Sequence, residues 1–222
     1  GAKQFCIAHI DDILIYSKSD EEHLKHLDIV LTDLGKGNFM VSAKKMQPFQ
    51  RQINFLGHML DGEKKWIPDD RRSYFNLLEP PQTKKQLQSL LGVSNYMSGF
   101  IDSYAFIVGP LYDALKGKSD KAPIVLNEIQ MKAFLELKKA ISTAPRLGLL
   151  DTSRTIYMEC DASLTGSGSV CYHVKEENGK EVREIIRYGS RRFSLTESLN
   201  HTSLEREAMA ILIGVKQHMS FL

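Results

Sequence analysis

Long apolar runs are missing from this 222-residue sequence. No stretch approaches the roughly 20 residues that a membrane-spanning helix needs, so a membrane partner is not expected. No secretory leader is visible, although Gly1-Ala2 reads as a cloning scar. Cysteine is scarce: Cys6, Cys160 and Cys171 make an odd count with no CxxC pair and no His at ligand spacing. That argues against a zinc site and for a reducing intracellular compartment, cytoplasmic or nuclear. Charge of one sign is also lacking, since 29 Lys and Arg against 27 Asp and Glu leave +2. That balance speaks neither for nor against nucleic acid. No internal repeat and no low-complexity tract occurs, so the chain is not a repeat array.

What is present fits a soluble globular chain, 42% hydrophobic and 25% charged, long enough for one large domain or two small ones. Charge is unevenly spread. Between Lys36 and Lys85 there are ten Lys or Arg against five Asp or Glu. Such a stretch is either a solvated basic face or a surface that follows phosphates.

Periodicity and punctuation divide the chain into three parts. Phe5–Ile10 and Ile13–Tyr16 are short β-prone runs with Asp11-Asp12 between them, a hairpin pattern. Ser19 with Glu22 is a capping box ahead of Leu24, Leu27, Leu31 and Leu34, and Gly35 and Gly37 end that helix. Phe39–Val41 and Ile53–Leu60 read as a second strand pair. The middle is helical and basic: 69–78, a helix capped by Thr83 and Gln86 with Leu87, Leu90, Leu91 and Val93 apolar, 103–115, and a helix capped by Asn127 carrying Met131, Phe134, Leu135 and Ile141. Residues 117–123 are the most linker-like. From Thr155 the pattern returns to strands, 155–160, 168–174 and 184–188, with Asn178-Gly179 as a hairpin turn. Thr202 with Glu205 caps a last helix whose apolar face is expected to be Leu204, Ala208, Ile211, Leu212, Val215 and Met219. The chain opens into a strand without a cap and closes on a helix with no strand after it, so a piece of a longer protein is expected.

Two acid pairs carry chemistry. Asp11 and Asp12 sit at an apolar hairpin tip, where adjacent carboxylates repel and a divalent cation compensates; two Asp in a turn are also ordinary turn chemistry. Asp161 ends the first strand of the later meander. Glu207, three residues after Leu204 and four before Ile211, lies at the border of the expected buried face. A carboxylate there can reach the adjacent sheet, making Asp161 and Glu207 a second candidate pair. Glu207 is equally readable as a boundary glutamate in a charged turn.

The order of motifs resembles a known family. His9-Ile10-Asp11-Asp12-Ile13-Leu14-Ile15-Tyr16 and the helix with Glu22-His23-Leu24 are similar to the Tyr-x-Asp-Asp signature of reverse transcriptases, within them the gypsy-type LTR retrotransposons. Phe55-Leu56-Gly57-His58 resembles the primer grip and Gln88–Tyr96 the "SFLGxxNYY" helix. Gly109-Pro110-Leu111, the run from Ala133 to Ile141, and Ala144–Leu147 follow in the family's order. Glu159–Ser163, Gly166–Val170, Tyr188–Glu197 and Glu205–Ala208 resemble the opening of the linked RNase H.

The resemblance implies an α+β fold: palm hairpins with primer grip over 1–61, a helical thumb and tether over 62–150, and the first half of an RNase H-like meander and helix over 151–222. It implies that Asp11, Asp12, Asp161 and Glu207 are catalytic metal ligands for Mg²⁺ or Mn²⁺ in two-metal phosphoryl transfer and RNA hydrolysis. It implies that Phe55, Leu56, Gly57, His58, Lys84, Lys85, Gln88 and Asn95 contact nucleic acid, a primer–template duplex or RNA/DNA hybrid. Two departures matter. His9 replaces the family's Tyr, and a further palm Asp and the later RNase H acids are absent from the sequence. Each site is expected to be half-built, and this chain alone to be inactive without the missing polymerase parts or a protein partner. The alternative is a domesticated retroelement-derived protein acting as a non-catalytic binding module.

Overall fold

A computed structural model describes residues 5–117, 119 and 122–219. Gly1-Ala2 and part of the 117–123 stretch lie outside the described residues. The fold is α+β, in two compact units, Gly1–Gly62 and Glu63–Leu222.

In the first unit, β1 (Cys6–His9) and β2 (Asp12–Ile15) pair antiparallel with His9 opposite Asp12. Ile10 takes φ +54° in the turn. The helix α1 (Asp20–Lys36) follows. Ser19 Oγ accepts the Glu22 N–H at 3.1 Å and a Glu22 carboxylate oxygen accepts the Lys18 N–H at 2.6 Å, so the expected cap forms. His26 ties α1 to the hairpin, stacking on Phe5 at 3.6 Å and sharing a hydrogen bond with Ser17.

The expected second strand pair is corrected. Residues 39–41 form no strand. Instead 53–60 folds on itself as β3 (Ile53–Phe55) and β4 (His58–Leu60). Leu56 and Gly57, both at positive φ (+47° and +71°), make the two-residue turn. An apolar run without an internal Asn-Gly signal reads as one strand, yet Gly57 supplies the left-handed residue that reverses it.

The second unit begins with β5 (Lys64–Trp66), α2 (Asp69–Leu77) and α3 (Lys84–Tyr96). A 3-10 turn, Ser98–Phe100, leads to α4 (Tyr104–Asp113), α5 (Glu128–Ser142) and β6 (Leu147–Gly148), which pairs with β5. Thr83 with Gln86 and Asn127 with Gln130 form complete capping boxes. Fully buried Ile67, Leu87, Leu111, Leu137 and Ile141 join Phe75, Phe134 and others in one core. Val93 and Leu135, expected inward, are exposed, whereas Ser94 and Leu137 are buried. Ser94 tolerates this because its hydroxyl bonds the Leu91 carbonyl and the Tyr104 hydroxyl.

The strands β7 (Tyr157–Ala162), β8 (Gly166–Glu177) and β9 (Lys180–Arg192) form an antiparallel meander. Asn178-Gly179 turns β8 into β9 at φ +54° and +74°. The short helix α6 (Leu195–Asn200) was not anticipated from periodicity; its Ser194–Glu197 box is legible in the sequence. The long helix α7 (Ser203–Met219) packs on all three strands.

The expected face of α7 is overturned. Leu204, Ala208, Ile211, Leu212, Val215 and Met219 are exposed. The sheet is met instead by Ala210, Ile213, Gly214, Gln217 and His218. Small residues decide this. A Cβ on Gly214 would stand 2.6 Å from Cys160 Sγ, and one on Gly189 of β9 2.7 Å from Gln217 Oε1. The helix therefore approaches the sheet closely only along this line.

Candidate metal and duplex-contact residues

Asp11 occupies the turn between β1 and β2 and Asp12 opens β2; both are exposed. Asp161, also exposed, is on β7 opposite Gly168. Its neighbour Cys160 faces α7, so strand alternation carries Asp161 on the other side of the strand, one residue from its end. Glu207 is half-buried, three residues before Ala210 on the sheet-facing line of α7. The expected border beside a buried Leu204 and Ile211 is not found, since both of those residues are exposed. Among the described residues these four carboxylates make no hydrogen bond or ion pair. Nor do three or more His, Cys, Asp or Glu side chains gather into a metal-holding group among the described residues.

As donors the four are hard oxygens of the kind Mg²⁺ takes. Asp11 and Asp12 are adjacent in one unit; in the other, Asp161 is on the side of β7 away from α7 while Glu207 is on the line of α7 that meets the sheet, so the structure does not show the second expected pair sharing one face.

Phe55, Leu56, Gly57 and His58 make up the turn of the β3–β4 hairpin and are half-buried. Lys84, Lys85, Gln88 and Asn95 are all on α3. Lys85, Gln88, Gly92 and Asn95 recur at three- and four-residue spacing and are exposed, so they form one outward ridge. Gly92 stands mid-helix with nothing within 4 Å of where its Cβ would be. No contact among the described residues requires a glycine there, and a mid-helix glycine costs about 0.5–1 kcal/mol relative to alanine.

The basic excess over 36–85 is partly structural. Arg72 donates to the carbonyls of Ile67, Ser142 and Ala144 at 2.8–3.0 Å, locking α2 against the end of α5. Burial, and then the Arg187 guanidinium, pull Lys65 down to about 8. Arg51 pairs with Asp20 at 3.1 Å. Sequence reasoning passed over the exposed, unpacked Gly92 and the cluster of Lys116, Arg191 and Arg192, because charge counting over 36–85 reaches neither.

Residues 2–60 match the family model described as reverse transcriptase (RNA-dependent DNA polymerase), and residues 126–222 match that of the RNase H-like domain found in reverse transcriptase. The chain therefore carries reverse transcriptase and RNase H-like domain sequence. Its relatives include the retrovirus-related Pol polyprotein from transposon opus of Drosophila melanogaster, 28% identical over 98% of this chain and 22% of that protein. The Pol polyprotein from transposon gypsy of the same organism is 30% identical over 99% of the chain and 21% of its own length. The enzymatic polyprotein of cauliflower mosaic virus (strain D/H) is 30% identical over 99% and 32%. The chain thus spans about a fifth to a third of these relatives. In fold it is similar to the foamy viral protease–reverse transcriptase in complex with RNA/DNA hybrid, with a TM-score of 0.85 at 23% identity over 96% of this chain and 28% of that one. The same viral protein in complex with dsDNA gives 0.82 at 24%, over 97% and 44%. No helix among the described residues is long and apolar enough to cross a membrane.

Proposed function

We propose that this chain is part of an RNA-directed DNA polymerase with RNase H from a gypsy-type LTR retrotransposon. Residues 1–61 are palm and primer grip, 62–150 thumb and tether, and 151–222 the first half of the RNase H-like domain. The observation that carries the reading is the placement of Asp11 and Asp12 at a tight hairpin tip with both carboxylates exposed and uncommitted. In this reading Asp11 and Asp12 face the primer end and incoming nucleotide, and Asp161 and Glu207 face the RNA strand. Divalent ions bound there supply activation of the attacking oxygen and neutralisation of the leaving one.

The exposed ridge on α3 supports a duplex grip. A glycine that no internal contact demands leaves the helix backbone open to close approach from outside. Lys85 before it and Asn95 after it supply donors for phosphate and sugar oxygens, contacts that hold a duplex without reading its sequence. Since a two-metal site takes more than two carboxylates to fix both ions, this chain by itself binds duplex without copying or cutting it. The test is fluorescence anisotropy of labelled RNA/DNA hybrid and dsDNA with the 222-residue chain, run beside primer extension in Mg²⁺. Binding that weakens steeply with salt is expected, with no extension. Salt-independent binding, or none, removes the duplex reading, and extension by the chain alone removes the claim of inactivity.

A further inference from the structure

Within the second unit, α4, the end of β9 and α6 enclose an open groove of about 670 Å³. Tyr104, Val108 and Phe193 form an apolar floor. Around it three cations are held in place by two carboxylates. Arg192 donates to Asp113 Oδ2 at 3.2 Å, and Lys116 reaches Asp113 Oδ1 at 2.8 Å. Arg191 donates to Glu197 Oε1 at 2.7 Å, and the other Glu197 oxygen accepts the Ser194 N–H at 2.8 Å.

The positions are built, not incidental. Arg192 lies directly on Gly109 of α4, where a Cβ would come within 2.7 Å of its Cδ and Cζ. A Cβ at Gly166, in turn, would stand 2.7 Å from Phe106 and 3.0 Å from the Arg192 backbone. Two glycines thus let α4 sit against the strand ends and fix where the guanidinium goes. Each guanidinium has five N–H donors in a planar fork, so one carboxylate contact leaves further donors on both arginines that line the groove. Thr165, Ser198 and Asn95 line the same space with neutral hydrogen-bonding groups.

Asn95 is the link. It belongs both to this groove and to the outward ridge of α3 that carries Lys85, Gln88 and Gly92. Asn95 thus joins the ridge to the groove, where the three cations exceed the two carboxylates by one net positive charge. We propose that this groove seats the phosphodiester backbone of the duplex as it passes from α3 toward the β7–β9 meander, with Arg191, Arg192 and Lys116 as its phosphate contacts. The site rests on the duplex-binding reading above and adds to it a second contact on the sheet side. Asp113 and Glu197 act as positioning residues that also compete with phosphate for the cations.

The competition supplies a test with opposite signs. In the full chain, Arg191→Gln with Arg192→Gln lowers the slope of log affinity against log salt by roughly one to two, for hybrid and dsDNA alike. Asp113→Asn with Glu197→Gln raises affinity by roughly two- to fivefold, the size expected for exposed pairs, a gain that a damaged fold does not give. Thermal melting of each variant accompanies the titrations. An unchanged slope in the arginine variant, or weakened binding by a carboxylate variant that melts normally, overturns the groove while leaving the α3 ridge standing. A wild-type chain that binds neither duplex in a salt-dependent way overturns both.

Discussion

Lowering the pH should destabilise this chain through one histidine. His218 is fully buried at the end of α7, its Nε2 3.0 Å from Ser169 Oγ and close beside Gly189. Burial, with the Arg187 charge adding to it, pushes its imidazole from 6.5 down to about 4. The folded state therefore resists a proton that the unfolded chain accepts, so protonation favours unfolding. The contribution is fully present above pH 6.5, is lost progressively as pH falls below that value, and stops growing below about 4. A drop of some 2.5 units corresponds to roughly 3 kcal/mol at the limit, of which about 2 kcal/mol is gone by pH 5. Against a total stability of about 5–15 kcal/mol for a domain that loss is large. The assay is urea denaturation followed by circular dichroism between pH 8 and 5, in the wild type and in His218→Gln. Glutamine keeps an acceptor near Ser169 but does not titrate in this range. The wild type should lose about 2 kcal/mol more than the variant across that window. Parallel pH profiles would refute the reasoning, because exposed histidines and carboxylates cancel in the comparison.

Four other outcomes are expected. Gly92→Ala should stabilise α3 by about 0.5–1 kcal/mol in thermal melts and weaken duplex binding in anisotropy, the two readouts moving in opposite directions. Gly214→Val should destabilise the second unit by about 1–3 kcal/mol in denaturant titration, since its Cβ alone would press Cys160 Sγ at 2.6 Å and Met158 Sδ at 3.3 Å. Hydrogen exchange should show residues 5–62 far less protected than 63–219. Val30 is the one buried apolar residue described in the first unit, and Ile10, Phe39 and Met40 are 69–100% exposed. Mn²⁺ should broaden amide resonances around Asp11 and Asp12 first, and Asp11→Asn with Asp12→Asn should abolish that broadening; equal broadening in the variant means the ion binds elsewhere.

Local chemistry was readable where a residue's role is settled by its near neighbours. Ser19, Thr83, Asn127 and Thr202 each find their glutamate or glutamine three residues on, and Asn178-Gly179 turns the meander as its sequence demands. Orientation was not readable where a helix offers two sides. On α7, leucine, isoleucine, valine and methionine recur on one stripe, while the other alternates Ala210, Gly214 and the polar Gln217 and His218. Hydropathy favours the first stripe. Packing selects the second, because at Cys160 and Gly189 the sheet comes too close to Gly214 and Gln217 to admit an added Cβ on either glycine, and because Ser169 shares a hydrogen bond with His218. The same reversal bears on Glu207: expected at the border of the leucine stripe, it is half-buried three residues before Ala210, on the line that meets the sheet. Candidate acids at such borders are therefore better anchored by small-residue spacing than by the larger apolar stripe, and α7 shows the difference within one helix.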